Sequence, residues 1–290
     1  MPKNRQPKSR KGPRTVLITD LLAAAPLADL LGAENGSDEI ERAQELIYDA
    51  WEAPDRRRRI ALAKKALKIS PLCADAYTLL AQEAAKESEE ELDLYRRGVE
   101  AGEKGLGEDA FVEEVGHFWG ILEARPYMRA RHGLALSLWA HGMREEALAH
   151  FKEMLRLNPN DNQGVRYLLL NRLLELGRDY DVAKLLKAYR DDGSAQWLYS
   201  AALADFRRFG NVDVSRKSLA RAVKMNPHVP DYLCGKKKMP RELPSLVSWG
   251  GADEAIAYVH DAHPAWAAAS GALAWAEDVA GGVRLKRRGV

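Results

Sequence analysis

The fold is decided by residues 128–161, MRARHGLALSLWAHGMREEALAHFKEMLRLNPND. Small and large apolar residues recur at helical spacing on both sides of Gly142: Leu134, Ala135, Leu138, Ala147 and Phe151. Glycine permits the backbone conformation of a tight turn, and Pro159 cannot continue a helix. The stretch therefore predicts two antiparallel helices that meet at Gly142 and end before Pro159. The alanines are expected where these helices cross at close range.

The same pattern returns along the chain at a constant period. Asn158-Pro159 and Asn226-Pro227 lie 68 residues apart, which is twice 34, and so do Gly142 and Gly210. A helix–turn–helix unit of 34 residues is typical of the tetratricopeptide repeat, which buries its apolar face only by stacking on neighbours. We therefore predict an all-α, tetratricopeptide-repeat-like α-solenoid. Its concave surface favours binding over chemistry.

Further repeats are predicted on both sides of the 128–161 unit. Residues 162–195 supply turn and core positions at Leu168, Leu169, Gly177, Ala183 and Leu186. Residues 196–229 supply Tyr199, Leu203, Phe206, Gly210, Leu219 and Ala222, with Asn211 and Ser215 at less usual positions. Upstream, residues 61–70 predict a second helix closed by Pro71, and residues 74–81 begin another first helix.

Two irregular segments interrupt this series. An apolar stripe within residues 105–124 predicts an inserted helix, and Pro240 and Pro244 break the first helix of a fourth unit. A C-terminal capping helix is predicted from Pro264 to about Val279. The predicted domains are a basic, disordered segment at 1–37, the solenoid at 38–280 and a basic tail at 281–290.

The charges are divided between the ends and the body of the chain. The net charge is +2, but residues 1–14 hold six basic and no acidic residues, and residues 283–290 hold four and none. The body between them is therefore acidic. Such tails are either solvated and disordered, or they contact nucleic acid or another anionic surface.

Several functional classes lack their sequence signals. Two cysteines are too few for a disulfide framework, which favours a reducing compartment. The apolar stretch near the N-terminus is interrupted by Asp20, Pro26 and Asp29, and no run of 18 apolar residues occurs. We therefore expect a cytoplasmic protein without a signal peptide or membrane span.

Signals for catalysis and metal binding are also weak. The sequence contains no GxxxxGK[ST], GxSxG or CxxC motif. His260 and His263 flank Asp261, but they lack a third ligand at a recognised spacing, so an exposed loop pair is favoured over a metal site. We expect no enzymatic activity, no cofactor and no metal.

Two segments carry a resemblance to a known family. They are GHFWGILEARPYMRA at 116–130 and EMLRLNPNDNQG at 153–164, supported by CADAY at 73–77 and GALAW at 271–275. The chain resembles a bacterial family of soluble tetratricopeptide proteins that is similar to the suppressor-of-tumorigenicity-seven family of eukaryotes. The resemblance covers about residues 38–279 and implies a helical-repeat protein. Within it, Phe118, Trp119 and Tyr127 either seal the inserted helix onto the solenoid or contact a ligand.

The groove of a tetratricopeptide solenoid is lined by defined positions of the first helices. In this sequence they are Arg129, His132, Leu136, Trp139, Arg166, Leu170, Trp197, Ser200 and Arg207. Basic and aromatic groups together suit an acidic or C-terminal peptide with an apolar anchor. The alternative is that these arginines pair with carboxylates of the solenoid itself and leave no site.

The sequence thus predicts a non-catalytic protein–protein interaction scaffold that binds a peptide or partner protein in its concave groove. A nucleic-acid-associated accessory protein that uses the basic tails is the alternative.

Overall fold

A computed structural model describes residues 27–287, with side chains described from residue 37 to residue 285. This part of the chain forms helices joined by loops and contains no strand. It divides into two compact units, one ending at Gly107 and the other beginning at Glu108. The single solenoid domain at 38–280 stays a prediction.

The described part of the first unit, residues 27–107, contains four helices. They are α1 (Leu27–Glu52), α2 (Arg56–Ile69), α3 (Ala74–Glu83) and α4 (Ser88–Leu106). α1 packs against α2, α2 against α3, and α3 against α4. Asp55 begins α2 as its N-cap, because its carboxylate accepts a 2.9 Å hydrogen bond from the backbone N–H of Arg58. The core between α1 and α2 is rich in fully buried alanine, which lets the two helices approach closely.

The second unit begins with the short helix α5 (Ala110–Glu113) and a 3₁₀ turn (Phe118–Gly120). Three helix pairs follow: α6 (Arg125–Ala140) with α7 (Arg144–Leu157), α8 (Val165–Glu175) with α9 (Asp179–Ala188), and α10 (Ala195–Phe209) with α11 (Asp213–Met225). The unit closes with α12 (Val229–Leu233), α13 (Ala252–Ala268) and α14 (Ala272–Arg287). α7 packs on α8 and α9 packs on α10, so successive pairs stack as helical repeats do.

The repeat register is fixed at the turns. Gly142, Gly177, Gly210 and Gly250 have φ values of 77°, 69°, 74° and 71°, in the left-handed region that favours glycine. The residue five positions after each of these glycines is completely buried: Ala147, Val182, Ser215 and Ala255. These positions confirm the all-α, tetratricopeptide-repeat-like α-solenoid.

The third repeat tolerates a serine at this buried position because its hydroxyl is satisfied locally. Ser215 Oγ donates a 2.6 Å hydrogen bond to the carbonyl oxygen of Gly210 and accepts one of 3.2 Å from the backbone N–H of Val212. The serine therefore closes the turn as well as filling the crossing.

The buried face of α9 differs from the predicted one. Ala183 was predicted to be a core residue, but it is exposed, and Val182 and Leu185 are buried instead. Counting from Gly177 gives the correct register, because Val182 takes the place that Ala147 has after Gly142.

The inserted segment is shorter in its helical parts than its apolar stripe suggests. Gly107 and Gly116 have φ values of 76° and 96°, which interrupt a right-handed helix. Phe118 and Tyr127 are fully buried with ring centroids 6.1 Å apart, and Phe111 contacts both at 5.1 Å. Phe111 and Phe118 therefore pack the inserted segment onto Tyr127 of α6. For Trp119, both sealing of the segment and contact with a ligand stay predictions.

The C-terminal helices begin at other residues than predicted. Pro264 lies inside α13, on its exposed side, and the last helix begins at Ala272. A proline inside a helix removes one backbone hydrogen bond, but the buried Trp266 keeps α13 packed beyond it. The ring of Trp275 stacks on that of Phe206 at 4.5 Å, so α14 does cover the end of the last repeat.

The predicted terminal segments fall mainly at or beyond the limits of the described chain. α1 begins at Leu27, so only residues 1–26 of the predicted segment 1–37 lie outside the described residues. α14 continues to Arg287, so residues 281–287 of the predicted tail are helical. The disorder predicted for residues 1–26 stays a prediction.

A larger side chain at the first helix crossing should destabilise the protein. We expect Ala147→Leu to lower the free energy of unfolding by about 1–3 kcal/mol, because this buried position has no space for the added atoms. Ala149→Leu is the matched control, since Ala149 is exposed on the same helix. Denaturant titration of both variants checks this, and equal stabilities would show that the helix crossing lies elsewhere.

Candidate functional site

Three of the residues predicted to line the concave groove lie in the interior instead. Leu170 and Ser200 have no exposed surface and Trp197 has 3%. The indole of Trp197 packs edge-on against Tyr167 and Tyr189, with centroids 6.0 and 5.9 Å away. These three positions fail as groove residues because α8 and α10 pack against each other and α13 packs on both of them.

Arg166 is held within the protein by two carboxylates. Its guanidinium lies 3.0 Å from Asp161 and 2.9 Å from Asp192, and only 19% of its side chain is exposed. It also lies over the rings of Tyr167 and Tyr189, at 4.4 and 5.3 Å from their centroids. We call Asp161, Arg166, Tyr167, Tyr189 and Asp192 the arginine cluster.

Asp161 joins the arginine cluster to the start of α8. It has a φ of 51°, and its carboxylate accepts hydrogen bonds from the backbone N–H groups of Val165 at 2.6 Å and Arg166 at 3.0 Å. Burial raises the pKa of Asp161 despite the nearby arginine. Burial also acts to raise the pKa of Asp192, but hydrogen bonds from Ser194, Tyr167 and Arg166 outweigh it and lower that pKa. Asp192 is therefore the firmly ionised partner of Arg166.

Arg207 is also paired inside the repeat stack. It donates a 2.7 Å hydrogen bond to the carbonyl oxygen of Leu174 and forms a 3.1 Å ion pair with Asp179. Thus two of the three predicted groove arginines are paired within the protein. Arg207 binds groups of the preceding repeat, and Arg166 binds Asp161 of the preceding repeat and Asp192 of its own. The carbonyl and carboxylate groups at the repeat turns therefore take the place of a partner's acceptor groups.

The four predicted groove residues on α6 do reach the surface to different extents. Leu136 is exposed, whereas Arg129, His132 and Trp139 are half-buried. Two guanidinium groups lie near the indole of Trp139, those of Arg144 at 5.4 Å and Arg172 at 4.7 Å from the ring centroid. A binding role for these α6 residues stays a prediction.

A different groove opens between α7 and α9 and has a volume of about 480 Å³. One wall comes from Lys152, Leu155 and Arg156 on α7 and from Pro159 just after its end, and the other from Asp181, Lys184, Leu185 and Ala188 on α9. On both walls the residues are spaced i, i+3, i+4 and i+7. This spacing brings four side chains to one face of a helix. Leu169 and Leu173 of α8, four residues apart, form the floor, and Tyr189 lies at one end.

Polar contacts link the two walls of the α7–α9 groove. The ammonium of Lys152 lies 3.2 Å from the carboxylate of Asp181, and the hydroxyl of Tyr189 donates a 2.9 Å hydrogen bond to the carbonyl oxygen of Pro159. Tyr189 also belongs to the arginine cluster, so the packing of Arg166 helps to fix one end of the groove. These contacts therefore fix the two walls relative to each other.

The charges at the rim of this groove are mostly positive. Three cations and one carboxylate line it. Arg156 forms a bidentate pair with Glu153, with both nitrogen–oxygen distances at 2.7 Å, and this hydrogen bonding lowers the pKa of Glu153. Lys184 is exposed and forms no ion pair with any residue in the described part of the chain.

The sequence contained a signal for this groove. The i, i+3, i+4 and i+7 sets on α7 and α9 mix leucine with lysine and arginine, which differs from an ordinary solvated helix face. The groove predicted from the sequence is lined by first helices, whereas these sets lie on second helices.

Other types of site have no support among the described residues. No group of three or more histidine, cysteine, aspartate or glutamate side chains there could hold a metal ion. His260 and His263 are exposed on α13 rather than in a loop, and His260 pairs with Asp261 at 2.8 Å. None of the described helices is both long and apolar enough to cross a membrane.

Comparison with known proteins identifies the family. The model of the family described as ST7 protein matches residues 33–280. The chain belongs to the ST7 protein family. It is 29% identical to the Suppressor of tumorigenicity 7 protein of Macaca fascicularis, over 82% of this chain and 52% of that protein. Against the protein of the same name from Rattus norvegicus, the identity is also 29%, over 82% of this chain and 48% of the relative.

The chain thus spans about half the length of the curated ST7 relatives it matches. These relatives are mammalian, and the bacterial origin implied by the sequence resemblance stays a prediction. Among solved structures, the crystal structure of YrrB, described as a TPR protein with an unusual peptide-binding site, matches 64% of this chain and 84% of its own. That match has 19% identity and a TM-score of 0.45.

Removing the central cation of the arginine cluster should destabilise the protein. We expect Arg166→Met to lower the free energy of unfolding by about 2–4 kcal/mol, because it leaves two buried carboxylates without their shared partner. Arg190→Met is the matched control, since that arginine is 80% exposed and lies 3.9 Å from an exposed aspartate. Denaturant titration checks this, and equal losses for both variants would show that the cluster is not a structural link.

His132 should make the stability depend on pH. Burial lowers the pKa of His132 below its usual value of 6.5, so the unfolded chain binds a proton more readily than the folded protein. The stability that the neutral His132 side chain contributes is therefore fully present above about pH 6.5. It is lost as the pH falls toward and through the lowered pKa of the folded protein. We expect His132→Gln to lose less stability than the wild type between about pH 7 and pH 5, measured by urea denaturation. Parallel pH profiles would contradict this.

Proposed function

We propose that this ST7-family chain is a non-catalytic interaction scaffold, and that its α7–α9 groove holds an apolar side chain from an acidic segment of a partner protein. The observation that carries the proposal is the open, leucine-floored groove of about 480 Å³ with a cationic rim. Its volume lies within the range of about 300–1,000 Å³ that is typical of ligand-binding pockets.

The floor of the groove accounts for the apolar anchor. Leu169 and Leu173 close it from below, and Leu155 and Leu185 face each other from the two walls. Burying one leucine or phenylalanine side chain of a partner there would contribute about 1.5–3 kcal/mol. Such an anchor gives most of the affinity in many interfaces, while the polar rim selects the partner.

The rim of the groove accounts for the acidic character of the partner. Lys184 offers an unpaired ammonium, and Lys152 and Arg156 are each about half exposed. Carboxylates beside the apolar anchor would pair with these cations, and an arginine or lysine in their place would be repelled. The groove thus selects by sign of charge as well as by shape.

The framework of the groove reduces the cost of binding. Both walls are helices, and the Lys152–Asp181 and Tyr189–Pro159 contacts link them before any partner arrives. Arg178 adds a further link, since its guanidinium pairs with Glu145 near the start of both helices. Little ordering of the protein is then required on association.

The nucleic-acid alternative has weaker support. Residues 1–14, which hold most of the tail charge, lie outside the described residues. Within α2, Arg59 is bound to Glu83 at 2.8 Å and Arg56 lies 3.7 Å from the same carboxylate, so this arginine run is partly neutralised. Binding of nucleic acid and a cytoplasmic location both stay predictions.

The groove can be tested by filling it. A peptide selected from a random library on the wild-type protein should contain aspartate or glutamate next to one leucine or phenylalanine. Ala188→Trp should raise its Kd by at least about tenfold, because the indole occupies the space of the anchor. Ala183→Trp is the matched control, since Ala183 is exposed on α9 but does not line the groove.

The charge of the rim needs a separate variant. Lys184→Glu should raise the Kd of the same peptide. Lys187→Glu on the same helix should leave the Kd unchanged, because Lys187 lies outside the groove. Fluorescence anisotropy at two salt concentrations measures both. Selection of peptides without carboxylates, or an unchanged Kd for Ala188→Trp, would contradict the proposed function.

A further inference from the structure

The segment between α12 and α13 exposes large apolar side chains. Residues 234–251 contain no helix, and within them Leu246 is 82% exposed, Trp249 67%, Val247 53% and Leu243 49%. We call residues 236–249 the exposed loop. Four large apolar side chains displayed within seven residues are unusual on a soluble surface and indicate a contact with something outside the protein.

The exposed loop is anchored at both ends. At its start, the backbone N–H of Lys237 donates to the carbonyl oxygen of Asp231 at 2.8 Å, and Lys236 forms a 2.8 Å ion pair with Glu277. At its end, the hydroxyl of Ser248 donates to the carboxylate of Asp253 at 2.7–2.8 Å.

Two prolines add to the stiffness of the exposed loop. Pro240 and Pro244 each fix one backbone dihedral within the segment that carries the apolar side chains. The apolar residues are therefore presented by a tethered, partly rigid loop, so fewer conformations are lost when they insert into another phase.

The loop also carries positive charge beside its apolar residues. It contains Lys236, Lys237, Lys238 and Arg241, against a single acidic residue, Glu242. Lys236 pairs with Glu277 of α14, and Lys237 pairs with Asp231 of α12. Lys238 and Arg241 are exposed and form no ion pair with any described residue, so their charge is available to a partner.

We propose that the exposed loop contacts an anionic lipid surface, with Leu246 and Trp249 entering the headgroup region and Lys238 and Arg241 meeting the lipid phosphates and carboxylates. Tryptophan is well suited to this interface, because its ring has an apolar body and one polar N–H group. Leucine adds apolar burial, and the two cations add attraction to the negative surface.

The loop is better suited to a lipid surface than to a partner protein or a nucleic acid. It contains no helix and no strand whose face or edge could hold a regular segment of a partner protein. Nucleic acid would make no use of exposed leucine and valine, since it binds through flat aromatic rings and cations. A fluid lipid surface accommodates irregularly placed apolar side chains.

Co-sedimentation of the full chain with lipid vesicles tests the proposal. The wild type should bind vesicles of phosphatidylcholine that contain about one third phosphatidylserine, and bind pure phosphatidylcholine much less. Leu246→Ser combined with Trp249→Ser should lower the partition coefficient for the anionic vesicles by at least about tenfold. Lys238→Gln and Arg241→Gln should each lower it by about fivefold, and added salt should have the same direction of effect.

A matched control separates this loop from general surface hydrophobicity. Leu122 is 59% exposed in the same unit but lies outside the loop, so Leu122→Ser should bind vesicles like the wild type. Absence of binding by the wild type, or equal binding by the loop double variant and Leu122→Ser, would overturn the proposal. The proposal would also be overturned if the loop variants lost binding to an acidic protein or to RNA while their binding to vesicles was unchanged. Circular dichroism verifies that each variant is folded.

Discussion

The second unit depends on the close crossing of two helices just after each turn glycine. A left-handed glycine reverses the chain, and five residues later a fully buried small or medium side chain lets the helices touch. Ala147, Val182, Ser215 and Ala255 differ in chemistry, but each is small enough for that crossing. The serine shows the limit of variation, because its hydroxyl requires the carbonyl oxygen of Gly210. The repeats stack because each closely crossed helix pair has an apolar side that only the next pair can cover.

The α7–α9 groove is a consequence of that stacking. When two helix pairs pack through α8, the second helices of neighbouring repeats stand apart and leave a valley whose floor is α8 itself. Links between Lys152 and Asp181 and between Tyr189 and Pro159 keep the valley open, and the arginine cluster holds Tyr189 in place. Stability and binding are thus coupled at Tyr189, where a residue of the framework is also a wall of the candidate site.

The basic side chains of this protein fall into two groups. The buried ones pair within the fold, and some of the exposed ones are available to a partner. Arg166 and Arg207 are largely buried and are satisfied by carboxylates and a carbonyl of the repeats, so they act within the fold. Lys184 and Lys238 are exposed and form no ion pair with described residues, so their charge can act on a partner. The sequence shows the same residue types in both roles.

The sequence by itself determined the helix-pair architecture, because Gly142, Gly210 and the Asn-Pro pairs are local signals whose spacing does not depend on tertiary contacts. It also placed Ala147, Phe151 and Leu219 in the core, since helical periodicity fixes which face is apolar. Only the tertiary structure decided that Leu170, Trp197 and Ser200 are interior, that Arg166 and Arg207 are paired, and that a groove opens between α7 and α9. These outcomes depend on which faces of different repeats meet, and a side chain has the same sequence signal whether a neighbouring helix covers it or leaves it to solvent. Pro264 is a further case in which tertiary packing decides. Proline locally predicts the start of a helix, but α13 continues through it because Trp266 is buried beyond it.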